Sequence, residues 1–350
     1  MFKTIYAIFF VLLISSCAHQ KTQLLRSPSS KEVISCEYVE NFDTSWVKDQ
    51  LHSKQALEKY MQMAAKLKIK TQFKMAVIDV AYGENLKIED KSNKIEFQST
   101  DFLSNKNIIS PKAGVYPHGH LVVKALLSKN GLHLFKDSKI NLYTIGLNAE
   151  QNTLDFLGLK NSLKKACDDG NKIINISANP PGEADDVVTE VLFQKTLTEL
   201  NQKGCLVVAA AGNEGNKNPN LLNHSNINDS FLRVAAHGPS GQESRRSNIG
   251  EISAPGEGLQ IEKTEIKWST CQDQSAIFQG TSAAAPVASV LASMIYSLLE
   301  TQTKFLMKSG PEKVKTVTEI IRLSGDGPEN KNINAFKAMQ LVESAIQNKY

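Results

Sequence analysis

The chain has 350 residues, 41% of them apolar and 22% charged, with a formal net charge of +4. These proportions are ordinary for a globular protein, and the length suffices for one large domain or two smaller ones. So small a charge, with no basic cluster interleaved with aromatic residues, gives no reason to expect a nucleic-acid partner.

The amino terminus differs from the rest. Lys3 precedes an apolar run from Ile5 to Ile14, too short to span a bilayer but of the length of a secretory signal, here 1–16. The run ends in Ile14-Ser15-Ser16-Cys17. This resembles the lipobox of bacterial lipoproteins, and it implies that Cys17 is lipidated and becomes the new amino terminus. Acyl chains there would hold the protein at a membrane. Ala18 follows Cys17 with no Asp at that position. In a cell with two membranes, that resembles outer-membrane sorting.

Residues 17–31 are polar, include Ser27-Pro28-Ser29-Ser30, and read as a flexible tether. Residues 32–72 form a small preamble, with a helix predicted from Ser53 to Lys68. From 73 to 345 a single domain follows. Its strands are predicted at Lys74–Ile78, Lys139–Ile145, Ile173–Ser177 and Cys205–Ala211, short apolar runs suited to buried parallel strands. Helices are predicted at Asn152–Asp169 and Asp186–Lys203, each closed by a glycine, and at Thr281–Leu299. Another is expected to begin near His118. The alternation argues for an α/β fold in three layers, a mostly parallel sheet with helices on both faces. Four cysteines lie beyond Cys17: Cys36, Cys167, Cys205 and Cys271. Export permits disulfides, three pairings are open, and no Cys/His spacing points to zinc.

Three segments carry candidate chemistry. Asp79 directly follows an apolar strand, at the strand end where sites of open α/β sheets collect. His118 lies in Pro117-His118-Gly119-His120 at the start of a helix. Ser282 lies in Gly280-Thr281-Ser282, also entering a helix, whose amino end favours negative charge developing beside it. A serine hydroxyl is a weak nucleophile at neutral pH and needs a base within hydrogen-bond reach. Imidazole has the right basicity, and a carboxylate fixes its tautomer and stabilises the imidazolium. Singly, each segment also fits a turn or a cap; their conjunction carries the reading.

The flanking residues resemble those of the subtilisin-like serine proteases, the subtilases. Val77-Ile78-Asp79 resembles the aspartate segment, His118-Gly119-His120-Leu121-Val122 the histidine box, and Gly280-Thr281-Ser282-Ala283-Ala284-Ala285-Pro286 the serine box. Ala211-Gly212-Asn213 resembles the segment whose asparagine completes the oxyanion hole. The resemblance implies a subtilisin-like fold and an Asp79–His118–Ser282 triad. It also implies Asn213 as oxyanion donor beside the Ser282 N–H. Asn175, Ile176 and Ser177 resemble the strand that lines the substrate cleft. Ser247-Asn248-Ile249-Gly250 and Ala254-Pro255-Gly256 resemble the loops between the asparagine and serine boxes.

There are departures. Val80-Ala81 follows Asp79, Leu121 replaces the box's second histidine, and His120 replaces a threonine. His120 and Leu121 are read as structural. Ala178-Asn179-Pro180-Pro181 stands where a glycine-rich run pairs with bound peptide in the family. Proline cannot donate a backbone hydrogen bond, so weaker strand pairing to substrate is expected there. The stretch 18–72 is shorter than the family's usual folding prodomain, so the lipidated end is expected to stay joined to the protease.

The expected function is therefore a membrane-anchored, monomeric serine endopeptidase acting on protein or peptide through an acyl-enzyme. No cofactor and no metal site are expected. The family allows a structural calcium ion, but no contiguous acidic cluster marks a site. The alternative is a non-catalytic peptide-binding lipoprotein on the same scaffold, motivated by Pro180-Pro181. An esterase is disfavoured, since Gly-x-Ser-x-Gly and a histidine after the serine are both missing.

Overall fold

In the computed structural model, the residues described are 45–69, 74–79, 82–83, 94–97, 108–109, 118–127, 138–145, 147–148, 153–154, 156–178, 187–215, 231–261 and 276–347. Among the described residues seven strands form the main sheet. In chain order they are β1 (Lys74–Asp79), β2 (Lys94–Phe97), β3 (Lys139–Thr144), β4 (Ile173–Ile176), β5 (Leu206–Ala210), β6 (Phe231–His237) and β7 (Ile252–Pro255). Their spatial order is β7-β6-β5-β4-β1-β3-β2, and every neighbouring pair is parallel. The sequence-based strands are found within a residue or so of their expected ends. Chain order reverses around β1, so β1 lies at the topological switch point, with its carboxyl end opening on the crevice.

Alternation along the strands sends side chains to two separate cores. Met75 and Val77 enter one, Ala76 and Ile78 the other. The larger core lies under α1 (Ser45–Leu51), α2 (Ser53–Lys66), α3 (His118–Leu127), α6 (Thr281–Leu299), α8 (Gly310–Leu323) and α9 (Ala335–Gln347). The smaller lies under α4 (Phe156–Asp168) and α5 (Val187–Gln202), through Leu159, Leu163, Phe193 and Leu197. The three-layer expectation is met. The chain also has a short helix, α7 (Thr303–Leu306), and an antiparallel pair, β8 (Leu259–Ile261) with β9 (Ala276–Phe278).

Helix α6 crosses the centre of the larger core. Its Ala- and Ser-rich surface lets it lie close on the sheet, and nearly every residue is buried. Among the described residues it is the one helix long and apolar enough to cross a membrane, but this apolarity serves a protein core. It starts after Gly280, whose φ of 103° suits glycine, and it tolerates Pro286 in its interior.

Residues 45–66 do not stand apart from the domain. Val47, Leu51, Ala56 and Tyr60 are fully buried in the larger core. Tyr60 Oη shares a 3.0 Å hydrogen bond with Ser297 Oγ on α6, and Lys59 pairs with Glu343 on α9 at 2.5 Å. The packing therefore shows no break at residue 72: the described part of the expected preamble shares the core of residues 74–347. The helix expected from Ser53 is present. Ser45–Leu51 is a second helix that the sequence reading did not resolve, separated from the first by His52 in a left-handed conformation (φ 49°). The signal 1–16, Cys17, the tether and Cys36 lie outside the described residues.

Of the cysteines, Cys167 and Cys205 form a disulfide joining the end of α4 to the residue before β5. Cys271, like Cys36, lies outside the described residues.

Candidate active site

The sheet register places the first candidate. Asp79 is the last residue of β1, opposite Thr144, the last residue of β3. Its carboxylate is completely buried. It faces His118, the first residue of α3, with Nδ1 at 2.8 Å from Oδ1 and 3.0 Å from Oδ2. A carboxylate only accepts, so Nδ1 carries the proton and Nε2 is left as the basic nitrogen. The His118 ring also meets Phe278 edge-on, with centroids 5.9 Å apart. Phe278 lies four residues ahead of Ser282, and α3 packs against α6. The serine helix and the histidine helix thus meet at the carboxyl edge of the sheet.

Ser282 is the second residue of α6 and is nearly buried. Its Oγ donates to the carbonyl oxygen of Ser177 at 2.9 Å. Ser177 is the first residue beyond β4, and its own hydroxyl donates to the Ser282 carbonyl at 3.2 Å. The two serines are therefore joined by a reciprocal pair of bonds.

Asn213 sits in the turn after β5. Its side-chain oxygen accepts from Thr281 N at 2.9 Å and from Thr281 Oγ1 at 3.2 Å. With the oxygen occupied by the helix start, the amide nitrogen is directed to the other side. Thr281 Oγ1 also accepts from Gly212 N at 3.0 Å. Gly280 lies against the same amide: a Cβ there would come within 3.0 Å of Asn213 Oδ1. Asn248 holds the turn from outside, donating to Ala211 O at 3.1 Å and to Glu214 Oε2 at 2.6 Å. Thr281, Gly280 and Asn248 are site residues to which the sequence reading gave no individual role. The signal for Thr281 was its hydroxyl directly before the candidate nucleophile.

The expected cleft strand needs correction. Asn175 and Ile176 are fully buried, and β4 is paired with β1 on one side and β5 on the other. Among the described residues no edge of β4 is left open there, and neither side chain reaches the surface. Asn175 instead binds Ser177 and Ser289, as described below. Ser177 alone of the three lies past the paired register. Asn179, Pro180 and Pro181 lie outside the described residues.

His120 and Leu121, read as structural, are buried in the core. Burial, with Lys124 nearby, holds the His120 imidazole down to about 3. Among the described residues no three His, Cys, Asp or Glu side chains converge as a metal site would require.

A parallel sheet between two helical layers, with Asp79 and His118 paired at its carboxyl edge, has the architecture of a subtilisin-like serine protease. The model of the subtilase family of peptidases matches residues 61–319, and the chain belongs to that family. Solved structures agree on the fold. The nisin leader peptidase NisP from Lactococcus lactis aligns with a TM-score of 0.60 at 18% identity, over 85% of this chain and 94% of its own. The epidermin leader peptide processing protease EpiP from Staphylococcus aureus aligns with a TM-score of 0.59 at 17% identity, over 86% and 82%. MycP1 from Mycobacterium smegmatis aligns with a TM-score of 0.58 at 18% identity, over 85% and 86%. No curated protein matches the chain in sequence.

Proposed function

We propose that this subtilase is a serine endopeptidase using Asp79, His118 and Ser282, held at a membrane by a lipid on Cys17. The observation that carries the catalytic part is the buried Asp79–His118 hydrogen bond, with the Ser282 helix packed against the histidine helix. Asp79 orients His118 and offsets the charge it gains. Ser282 Oγ leaves the Ser177 carbonyl, gives its proton to His118 Nε2 and attacks the peptide carbonyl carbon. The oxygen that becomes negative is met by the Asn213 amide N–H and the Ser282 backbone N–H. His118 then protonates the departing amine as the C–N bond breaks, leaving an ester on Ser282. Water, deprotonated by the same imidazole, hydrolyses that ester. Only protons and an acyl group move, so this chemistry needs no cofactor.

The substrate class is a protein or peptide, and a monomer suffices, since the proposed groups all come from one chain. Two of the structural neighbours are described as leader peptide proteases; from them we carry over no more than a peptide substrate. Membrane attachment rests on the Ile14-Ser15-Ser16-Cys17 run, with the outer membrane as destination where there are two. Labelling by a small fluorophosphonate tests the nucleophile: the natural protein should label and Ser282→Ala should not. Equal labelling of both, or of neither, overturns the catalytic reading. For the anchor, Cys17→Ser should move the protein from the membrane to the soluble fraction. Retention in the membrane fraction overturns it.

A further inference from the structure

Pro286 stands four residues after Ser282 inside α6. In an α-helix, that position donates its backbone N–H to the carbonyl of the residue four before. Proline has none to give, so the Ser282 carbonyl loses its helical partner in the nucleophile's own turn. The missing donor is supplied from the sheet. Ser177 Oγ donates to Ser282 O at 3.2 Å. That hydroxyl is itself fixed, accepting from Asn175 Nδ2 at 3.0 Å. The Asn175 oxygen accepts from Ser289 Oγ at 3.0 Å, two turns along the same helix. Ser289 shares its one proton between this oxygen and Ala285 O at 2.9 Å.

All four side chains are buried. Asn175 lies opposite Val77 and Val208 in the sheet register, a polar residue in an otherwise apolar row beneath α6. An amide there costs free energy unless its hydrogen bonds are made, and both ends of this one are engaged. The arrangement closes on the reactive residue, because Ser282 Oγ is bound to the Ser177 carbonyl while the Ser282 carbonyl is bound to the Ser177 hydroxyl.

We propose that Asn175 and Ser289 are positioning residues for Ser282. Through the Ser177 hydroxyl they replace the hydrogen bond that Pro286 removes, and so fix the turn that presents the nucleophile. The proposal rests on Ser282 being that nucleophile.

The test is rescue. Pro286→Ala gives the Ser282 carbonyl an in-helix donor and makes the Ser177 hydroxyl redundant. Ser177→Ala should slow fluorophosphonate labelling about three- to tenfold in the natural background, the range for one buried hydrogen bond, and less than about twofold in the Pro286→Ala background. Ser289→Ala should slow it less, and again only where Pro286 is present. For a peptide ester the loss should lie in kcat, with KM little changed. A residue that merely fills the core would slow both backgrounds equally. Equal slowing, or no slowing in the natural background, overturns the proposal. If Ser177→Ala does not fold, the Ser289→Ala pair decides by the same comparison. Unlabelled natural protein would instead overturn the nucleophile assignment. The same cycle read by Tm then still tests the hydrogen-bond replacement: Ser177→Ala should lower Tm more with Pro286 than without it, and equal lowering overturns it.

Discussion

Asn213 is held by its oxygen, and in the proposed mechanism the nitrogen end of the amide meets the developing negative charge. Thr281 contributes two of the contacts on that oxygen and is itself fixed by Gly212 N. Asn213→Ala should therefore lower kcat by about 10²–10³, as for other oxyanion donors, with KM nearly unchanged. Steady-state kinetics on a peptide substrate would check this, and an equal fall in 1/KM would argue for ground-state binding instead. Asp79, His118, Asn213 and Ser282 stand out in the sequence as candidates because each carries its own flanking residues. Thr281 and Asn248 do not, because they act on residues 68 and 34 positions away. Asn175 was misplaced for a related reason: a strand sequence does not show which face its serine helix covers. His237 is a further buried residue that sequence could not weigh. Its Nδ1 meets Ser253 Oγ at 2.8 Å, its ring lies 6.2 Å from that of Trp46 on α1, and burial pushes it from 6.5 down to about 4. Between those values the unfolded chain binds the proton and the folded one does not. The stabilisation is therefore complete above pH 6.5 and is lost as pH falls towards 4, by about 3 kcal/mol for this residue. Urea unfolding across that window should be less steeply pH-dependent in His237→Asn than in the natural protein.

At the scale of elements, the amino-terminal helices resemble a preamble in sequence and behave as core in the fold. Periodicity disclosed α2, because its buried face repeats at Ala56, Tyr60, Met63 and Ala64. It did not disclose α1, a helix of seven residues, too short for a periodic signal to build up. Nor did it show that α2 packs on α6 and α9, since that depends on contacts across nearly the whole chain. Tyr60 is the element's anchor, fully buried with its hydroxyl on Ser297. Tyr60→Phe should cost about 1 kcal/mol, one hydrogen bond's net worth. Tyr60→Ala should cost about 3–5 kcal/mol, the usual penalty for emptying a large aromatic site. Denaturant titration would separate the two. Were α2 a peripheral segment, both variants would stay within about 0.5 kcal/mol of the natural protein. The same packing argues that an enzyme cleaved near residue 70 keeps these helices bound or loses its core. An amino-terminal sequence of the mature protein lacking residues 45–66 would contradict this.

For the whole molecule, the two cores are stabilised differently. The larger draws on helices from both ends of the chain; the smaller has two helices, α4 and α5, on one face of the sheet. The disulfide is located at the smaller one. Cys167 lies at the end of α4 and Cys205 just before β5, tying a loop of 38 residues around β4, the strand that leads to Ser177 and the candidate site. Spacing alone did not reveal this pairing, because Cys36 and Cys271 were equally available; the path of α4 antiparallel to its strands brings Cys167 and Cys205 together. Beside the disulfide, Tyr143 Oη donates to Asp169 at 2.7 Å and Asn171 donates to Tyr143 Oη at 3.1 Å. Asp169 and Asn171 lie between α4 and the start of β4, at the end of that strand opposite the proposed catalytic groups. A closed loop of this length restricts the unfolded chain by about 4 kcal/mol in the chain-entropy account. The double variant Cys167→Ala, Cys205→Ala should therefore lower stability by about that amount. Its rate of fluorophosphonate labelling, measured well below its Tm, should remain close to that of the natural protein, because the bond lies at the far end of the strands. A labelling rate that fell along with the stability would mean that the smaller core transmits strain along β4 to Ser177.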